Sequence, residues 1–329
     1  MNSKKWFKEA KFGMMVHFGL YSLLGGEYKG MRMGDGYWDG VKSPILGEWA
    51  QSYWRIPNAE YRELMKAFNP IYFNADEWVT LAKEAGMEYI VVTTKHHEGF
   101  ALFDSKASDY KITNTPYGKD LIAELAEACY KHSIKFGIYY SQCIDWSMPD
   151  GGGYTPSVPL KNLDCMSWCN DWDFPENDKK NYTRCFNEKI VPQINELMKN
   201  YGDICLVWFD TPMDITNAQS QQLYDIVKQY QPNCLVNSRI GNGLGDYESA
   251  GDNEIPDDDK KDKLFETPAT MNGTWGYKSY DNNWKSVEEI SRIKQHLNNN
   301  GINYLLNVGP DHLGRIPSPS QDILKKINL

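Results

Sequence analysis

No run in the chain approaches the roughly 20 apolar residues that cross a bilayer as a helix, and the start, MNSKKWFKEAKFG, lacks the apolar stretch of a secretory leader. A globular, cytoplasmic protein is expected. Positive charge is in deficit: 35 Lys+Arg stand against 44 Asp+Glu, a net of −9, which repels a phosphate backbone and argues against nucleic acid as a partner. Neither a Walker-type loop nor a Gly-rich dinucleotide fingerprint is present. The 7 cysteines are odd in number, and Cys129, Cys143, Cys185, Cys205 and Cys234 lie in apolar segments, as reduced core residues do. Cys165 and Cys169 are spaced C-x₃-C in a polar loop, but no second Cys or His pair follows at ligand spacing, so no metal or other cofactor is expected. A composition of 24% charged and 41% hydrophobic residues excludes a disordered, collagenous or coiled-coil chain.

What the sequence does have is alternation. Short, almost continuously apolar runs at 13–19, 89–94, 135–140, 204–209, 234–237 and 304–308 read as buried parallel strands. Segments with a 3.6-residue period at 58–68, 75–85, 120–132, 178–200, 218–230 and 287–300 read as helices; Asp120 and Ser286 stand where N-caps belong. This βαβα order, without a linker or repeat, predicts one α/β domain over residues 1–329, a (β/α)₈-like TIM barrel whose missing strands hide in 246–270. The long loops 25–43 and 145–175 then fall on the face that carries chemistry.

Polar residues sit where such strands end. His17 ends the first, Thr94-Lys95-His96-His97-Glu98 the second, Tyr139-Tyr140-Ser141 the third, Asp210 the fourth and Asn237-Ser238-Arg239 the fifth. Asp210, directly after LVWF, reads either as an N-cap or as a nucleophile held by a strand end beside Trp208. His96 and His97 are adjacent, so strand alternation turns them to opposite sides, which argues against a two-His metal site and for two contacts to a ligand. The 11 Trp and 21 Tyr favour a carbohydrate, whose C–H faces stack on aromatic rings, over a phosphate.

At these residues the sequence resembles the α-L-fucosidases, the family 29 glycoside hydrolases. The stretches that carry the resemblance are FGMMVHFGLYS, GEW, the block EYIVVTTKHHEGFALFDSKASDY continuing through TPYGKDLIAELAEACYKHSIKFGIYYSQCIDW, then LVWFD, NSR, TWGY and NYLLNVGPDHLGRIP. The resemblance implies a retaining, exo-acting hydrolase that releases terminal α-L-fucosyl residues through a covalent intermediate, with no cofactor. Asp210 matches the family nucleophile. His17, His96, His97, Tyr139 and Arg239 match sugar contacts, with Glu48, Trp49, Trp208 and Trp275 as further walls; the histidines and Arg239 are expected to donate to ring hydroxyls. The acid/base falls in the variable loop GDYESAGDNEIPDDDKK, where Asp252 ranks first; Glu266 of FET, otherwise a binding or supporting residue, ranks second and Glu254 third. Two departures are Glu98, where the family has Asp, and Phe18 in HFG in place of HWG. The resemblance also leads one to expect the catalytic barrel without the C-terminal β-sandwich of many members, with exposed aromatic loops that leave room for self-association. Two rival readings are a lectin-like fucose binder without turnover and a metal-dependent barrel hydrolase using His17, His96 and Asp210.

Overall fold

The structure is a computed structural model that describes residues 3–38, 41–44, 46–154 and 168–328. Eight parallel strands make one sheet: β1 (Phe12–Val16), β2 (Tyr89–Lys95), β3 (Lys135–Ser141), β4 (Leu206–Asp210), β5 (Leu235–Val236), β6 (Glu248–Ser249), β7 (Phe265–Thr270) and β8 (Ile302–Val308). Their spatial order, β6-β7-β8-β1-β2-β3-β4-β5, follows the chain around a ring. A parallel bridge from Asn237 to Tyr247, with Ser238 N–H donating to the Tyr247 carbonyl at 2.9 Å, joins the two ends. The expected barrel is therefore present, and both strands missing from the periodicity, β6 and β7, lie within 246–270.

Helices pack outside: α1 (Ser3–Ala10), α2 (Ala75–Glu84), α3 (Leu121–His132), α4 (Val191–Asn200), α5 (Asn217–Tyr230), α6 (Val287–Asn299) and α7 (Ser318–Lys326). Asp120 and Ser286 cap α3 and α6 as expected, each side chain accepting from a backbone N–H one turn on. α1 and α7 were not legible as helices. The expected helix 58–68 is a single α-turn, Asn58–Tyr61, running into a 3₁₀ segment, Arg62–Lys66. In 178–200 the helix begins at Tyr182, after the Asn181 cap, and contains a π-turn over Phe186–Ile190. The loop 25–43 holds two β-ribbons, Glu27–Tyr28 with Met31–Arg32 and Asp35–Trp38 with Val41–Pro44.

Period-two alternation divides the strand side chains between two cores. Outward residues such as Met14, Val92, Ile138 and Val207 pack under the helices, while Met15, Tyr89, Val91, Tyr139, Leu206, Trp208 and Leu305 fill the barrel. Helix α1 closes its amino end with Phe7, whose ring stands 4.6 Å from Tyr247. Gly13 is required there, since a Cβ would meet the Tyr89 ring at 2.4 Å. A plugged amino end leaves the carboxyl end as the open mouth.

Candidate active site

The inward face of β4 runs Leu206, Trp208, Asp210, so the same alternation that buries the first two lifts Asp210 to the mouth. There a cavity of about 790 Å³ opens, and His17, Glu48, Trp49, His96, His97, Tyr139, Trp208, Asp210, Arg239, Asp252 and Trp275 all line it. Of the expected site residues, all but Glu266 and the third-ranked acid, Glu254, are thus brought to one cavity. Met15, Leu46, Trp168, Thr211 and the segment Ser249-Ala250-Gly251 complete the wall.

Asp210 is not a helix cap: α5 starts only at Asn217, under its own Thr216–Gln219 capping box. Its Oδ2 accepts from the Tyr139 hydroxyl at 2.7 Å and its Oδ1 from Arg239 Nη1 at 3.0 Å, while its backbone N–H donates to Gln142 Oε1 at 2.8 Å. Both oxygens are therefore fixed in direction. The two donors are themselves set by Trp208: Tyr139 stacks on the indole at 5.6 Å and 16°, and the Arg239 guanidinium lies 4.5 Å from its centroid. Gln142 was missed from sequence, although its place just after β3 was the available signal.

The histidines depart from two expectations. His96 and His97 do not diverge: both reach the cavity, with ring centroids 4.0 Å apart. The pairing register of β2 shifts between Thr93 and Lys95 and the strand ends there, so alternation no longer governs the pair. Nor do His17 and His97 both donate into the site. The Ser141 hydroxyl donates to the Ile144 carbonyl at 2.9 Å, which leaves its oxygen to accept from His97 Nδ1 at 2.7 Å. Asn307 Nδ2 donates to the Trp275 carbonyl at 2.8 Å, which turns Oδ1 toward His17 Nδ1 at 2.7 Å. Each ring therefore carries its proton on Nδ1 and presents Nε2 as an acceptor, and His97 Nε2 stands 3.9 Å from Asp210 Oδ2. Burial holds both in the neutral form, with His17 pushed down to about 4 and His97 well below the usual range.

Glu266 lies beneath the wall instead of on it. It is fully buried, and its two oxygens accept from the Tyr89 hydroxyl at 2.6 Å and from Trp208 Nε1 at 2.9 Å. Burial raises its carboxyl to about 7. This is the supporting role among those the sequence left open, because a carboxyl so enclosed does not reach the cavity. Glu48 does line the cavity, accepting from Gly276 N–H at 2.7 Å, and burial lifts it too to about 7.

Two other polar strand-end residues are structural. Glu98 ties the HHEG turn to β1, accepting from the Leu20 N–H at 3.0 Å and from the Tyr61 hydroxyl. Lys95 is buried in a cluster with Asp145, whose Oδ2 lies 3.1 Å from Lys95 Nζ and 2.7 Å from Lys189 Nζ. Since Trp146 N–H donates to the His97 carbonyl at 2.8 Å, this cluster fixes the loops on either side of the histidines.

Asp252 projects from the loop after β6, half-exposed, with Oδ1 2.6 Å from Arg239 Nη2. Its neighbour Asn253 anchors the loop to the end of β7, accepting from Thr270 N–H at 2.9 Å and donating from its backbone to the Pro268 carbonyl at 3.0 Å. Glu254 turns back on its own loop to accept from Gly251 N–H at 2.8 Å. Cys169 is buried, its thiol 3.7 Å from Asn177 Oδ1; the other member of the C-x₃-C pair, Cys165, lies outside the described residues. Among the described residues no three His, Cys, Asp or Glu side chains are grouped to hold a metal ion.

The fold that presents this cavity, and the sequence that builds it, resemble those of known proteins. The structure superposes with a TM-score of 0.91 on an α-L-fucosidase, AlfC, from Lactobacillus casei in complex with α-L-fucose, at 52% identity over 99% of this chain and 97% of that one. An α-L-fucosidase from Vibrio sp. strain EJY3 gives 0.87 and 36% identity over 99% of this chain and 54% of that one. The tissue α-L-fucosidase of Bos taurus is 29% identical over 94% of this chain, which spans 63% of the bovine protein's length. The family model described as Alpha-L-fucosidase matches residues 1–328. With whole-length agreement in sequence and in fold, the chain belongs to the α-L-fucosidase family.

Proposed function

We propose that the protein is an exo-acting, retaining α-L-fucosidase in which Asp210 is the nucleophile and Asp252 the acid/base. The observation that carries this reading is the single guanidinium of Arg239, which bridges Asp210 Oδ1 and Asp252 Oδ1. Carboxylates joined by one guanidinium suit the separation of roughly 5 Å used by retaining glycosidases. Asp210, with each oxygen held by one donor, is aimed for in-line attack at an anomeric carbon. Its leaving-group partner works from the rim. To hand a proton to the leaving oxygen, Asp252 turns from Arg239 Nη2 as the aglycone arrives; its exposed loop position permits this.

Trp49, Trp208 and Trp275 offer faces for the sugar's C–H groups and methyl, and His17 and His97 offer acceptors for its hydroxyls. An aspartate-to-alanine mutant of AlfC was solved with 4-nitrophenyl α-L-fucopyranoside and with Fuca(1,6)GlcNAc, which supports a fucosylated glycan or glycoside as the substrate class here. The buried thiols of Cys129, Cys143, Cys185 and Cys234 suit a reducing compartment, and cell fractionation tests a cytoplasmic location.

The test compares release of 4-nitrophenol from the α-L-fucoside and from the α-D- and β-D-galactosides, with and without EDTA, by wild type and Asp210→Ala. Fucoside-only, EDTA-insensitive turnover lost in the variant is the expected result. Fucose binding without turnover on any glycoside overturns it in favour of a lectin-like protein, and loss of turnover with EDTA in favour of a metal-dependent hydrolase.

A further inference from the structure

We propose that Asn307 is a positioning residue that determines how the sugar is read: it fixes His17 as a hydrogen-bond acceptor and, through the same amide, seats the Trp275 wall. The inference rests on the fucosidase reading for its consequence, though not for its geometry. The Trp275 carbonyl can only accept, so the Asn307 amide nitrogen must face it, at 2.8 Å, and the amide oxygen must face His17 Nδ1, at 2.7 Å. An amide oxygen cannot donate, so the proton of the neutral ring resides on Nδ1 and Nε2 is left with its lone pair. His17 and Trp275 lie 5.2 Å apart by ring centroid and both line the cavity. One amide thus sets a polar contact and an apolar wall together.

Asn307 holds this place for a reason of register. It pairs with Met15 across β8 and β1, so it lies on the inward face one layer below the mouth, almost fully buried at 2% exposure. The groups that face the His17 ring are His96 from the end of β2, Tyr139 from β3, Asp210 from β4, Asp252 from the loop after β6 and Asn307 from β8. Burial favours the uncharged ring more strongly than the Asn307 bond and the two aspartates favour its charge. Asn307 presents the amide dipole that selects the tautomer without supplying the negative charge that would protonate the ring. A hydroxyl meeting Nε2 must therefore donate to it; were the ring charged, Nε2–H would donate instead, and the same hydroxyl would have to turn round.

The experiment has an arm that needs no turnover. Long-range ¹H–¹⁵N spectra of histidine-labelled wild type, with His17→Gln for assignment, should show the His17 proton on Nδ1 at neutral pH; a proton on Nε2 would overturn the proposal. Asn307→Asp and Asn307→Leu form the second arm. A carboxylate in place of the amide stabilises the imidazolium, so in Asn307→Asp the His17 titration, followed by NMR, and the acidic limb of kcat/KM should both move to higher pH by about one unit or more, with activity recovering toward alkaline pH. Asn307→Leu, which removes a bond that favours the charged ring, should raise KM at every pH and move the limb to lower pH, opposite to Asn307→Asp. An Asn307→Asp profile parallel to wild type, merely scaled down, would reduce Asn307 to a packing residue and contradict the proposal. If neither wild type nor variant turns over a fucoside, the function reading has failed, and the NMR tautomer and titration still decide the role of Asn307.

Discussion

Trp208 Nε1 donates to Glu266 Oε1 across 2.9 Å, at a point fully enclosed below the cavity. The bond fixes the indole against which Tyr139 and Arg239 both pack, and those two side chains hold the two oxygens of Asp210. Glu266 therefore acts on Asp210 at two removes. Glu266→Gln keeps an oxygen for the indole and an amide for the Tyr89 hydroxyl, so its kcat should stay within about threefold of wild type, whereas Glu266→Leu should lose roughly 10-fold or more. Equal, near-complete loss in both would mean that Glu266 transfers a proton.

Asp252→Ala should separate substrates by leaving group. The kcat/KM for a fucosylated sugar, whose alkoxide must be protonated as it departs, should fall by roughly 10² or more, and that for 4-nitrophenyl α-L-fucoside much less. Parallel steady-state kinetics on the two substrates check this. An equal loss on both would remove Asp252 from the acid/base role.

The buried cluster of Lys95, Asp145 and Lys189 predicts an ordering of stabilities. Asp145→Asn leaves two ammonium groups without their shared carboxylate, at a cost of about 3–5 kcal/mol or more, whereas Lys189→Met leaves the Lys95–Asp145 pair intact and should cost less. Denaturant unfolding of both variants measures the difference. The reverse order would show that Lys189 carries the cluster.

Glu98 makes stability depend on pH. Burial raises its folded-state carboxyl to about 7, above the usual glutamate range, so the folded state holds a proton that the unfolded state releases. That stabilisation is fully present below about pH 4.3 and is lost as pH rises through about 7. Glu98→Gln, which has no proton to lose, should gain stability relative to wild type between pH 5 and 8, by on the order of 3 kcal/mol across the range. Thermal melts of both proteins over that range read the slope; a constant difference would contradict the buried, protonated carboxyl.

The long strands were legible because burial on both faces makes them continuously apolar, as in YIVVTTK and INYLLNV. β5, although only two residues long, showed in the apolar run 234–237, whereas β6, equally short, showed only as a place where the barrel lacked strands. Helix α1 was read as a mere start of the chain, though Phe7 is what closes the barrel floor. In the site, strand-end residues such as His17, Tyr139, Asp210 and Arg239 were visible through their position alone. What was not visible depends on register and tautomer: the end of β2 that lets His96 and His97 share a cavity, the retreat of Glu266 below the wall, and the polarity that Asn307 and Ser141 impose on two imidazoles. None of these leaves a mark in periodicity, because each is decided by a partner far away in the chain.

The central claim is that Asp210 attacks the sugar. Incubation with 2-deoxy-2-fluoro-α-L-fucosyl fluoride, which slows breakdown of a glycosyl-enzyme, followed by proteolysis and mass spectrometry, tests it most directly. The account predicts one fluorofucosyl adduct, on the peptide LVWFD at Asp210, absent from Asp210→Ala. An adduct on another carboxylate, or turnover with inversion at the anomeric carbon and no adduct, would contradict it.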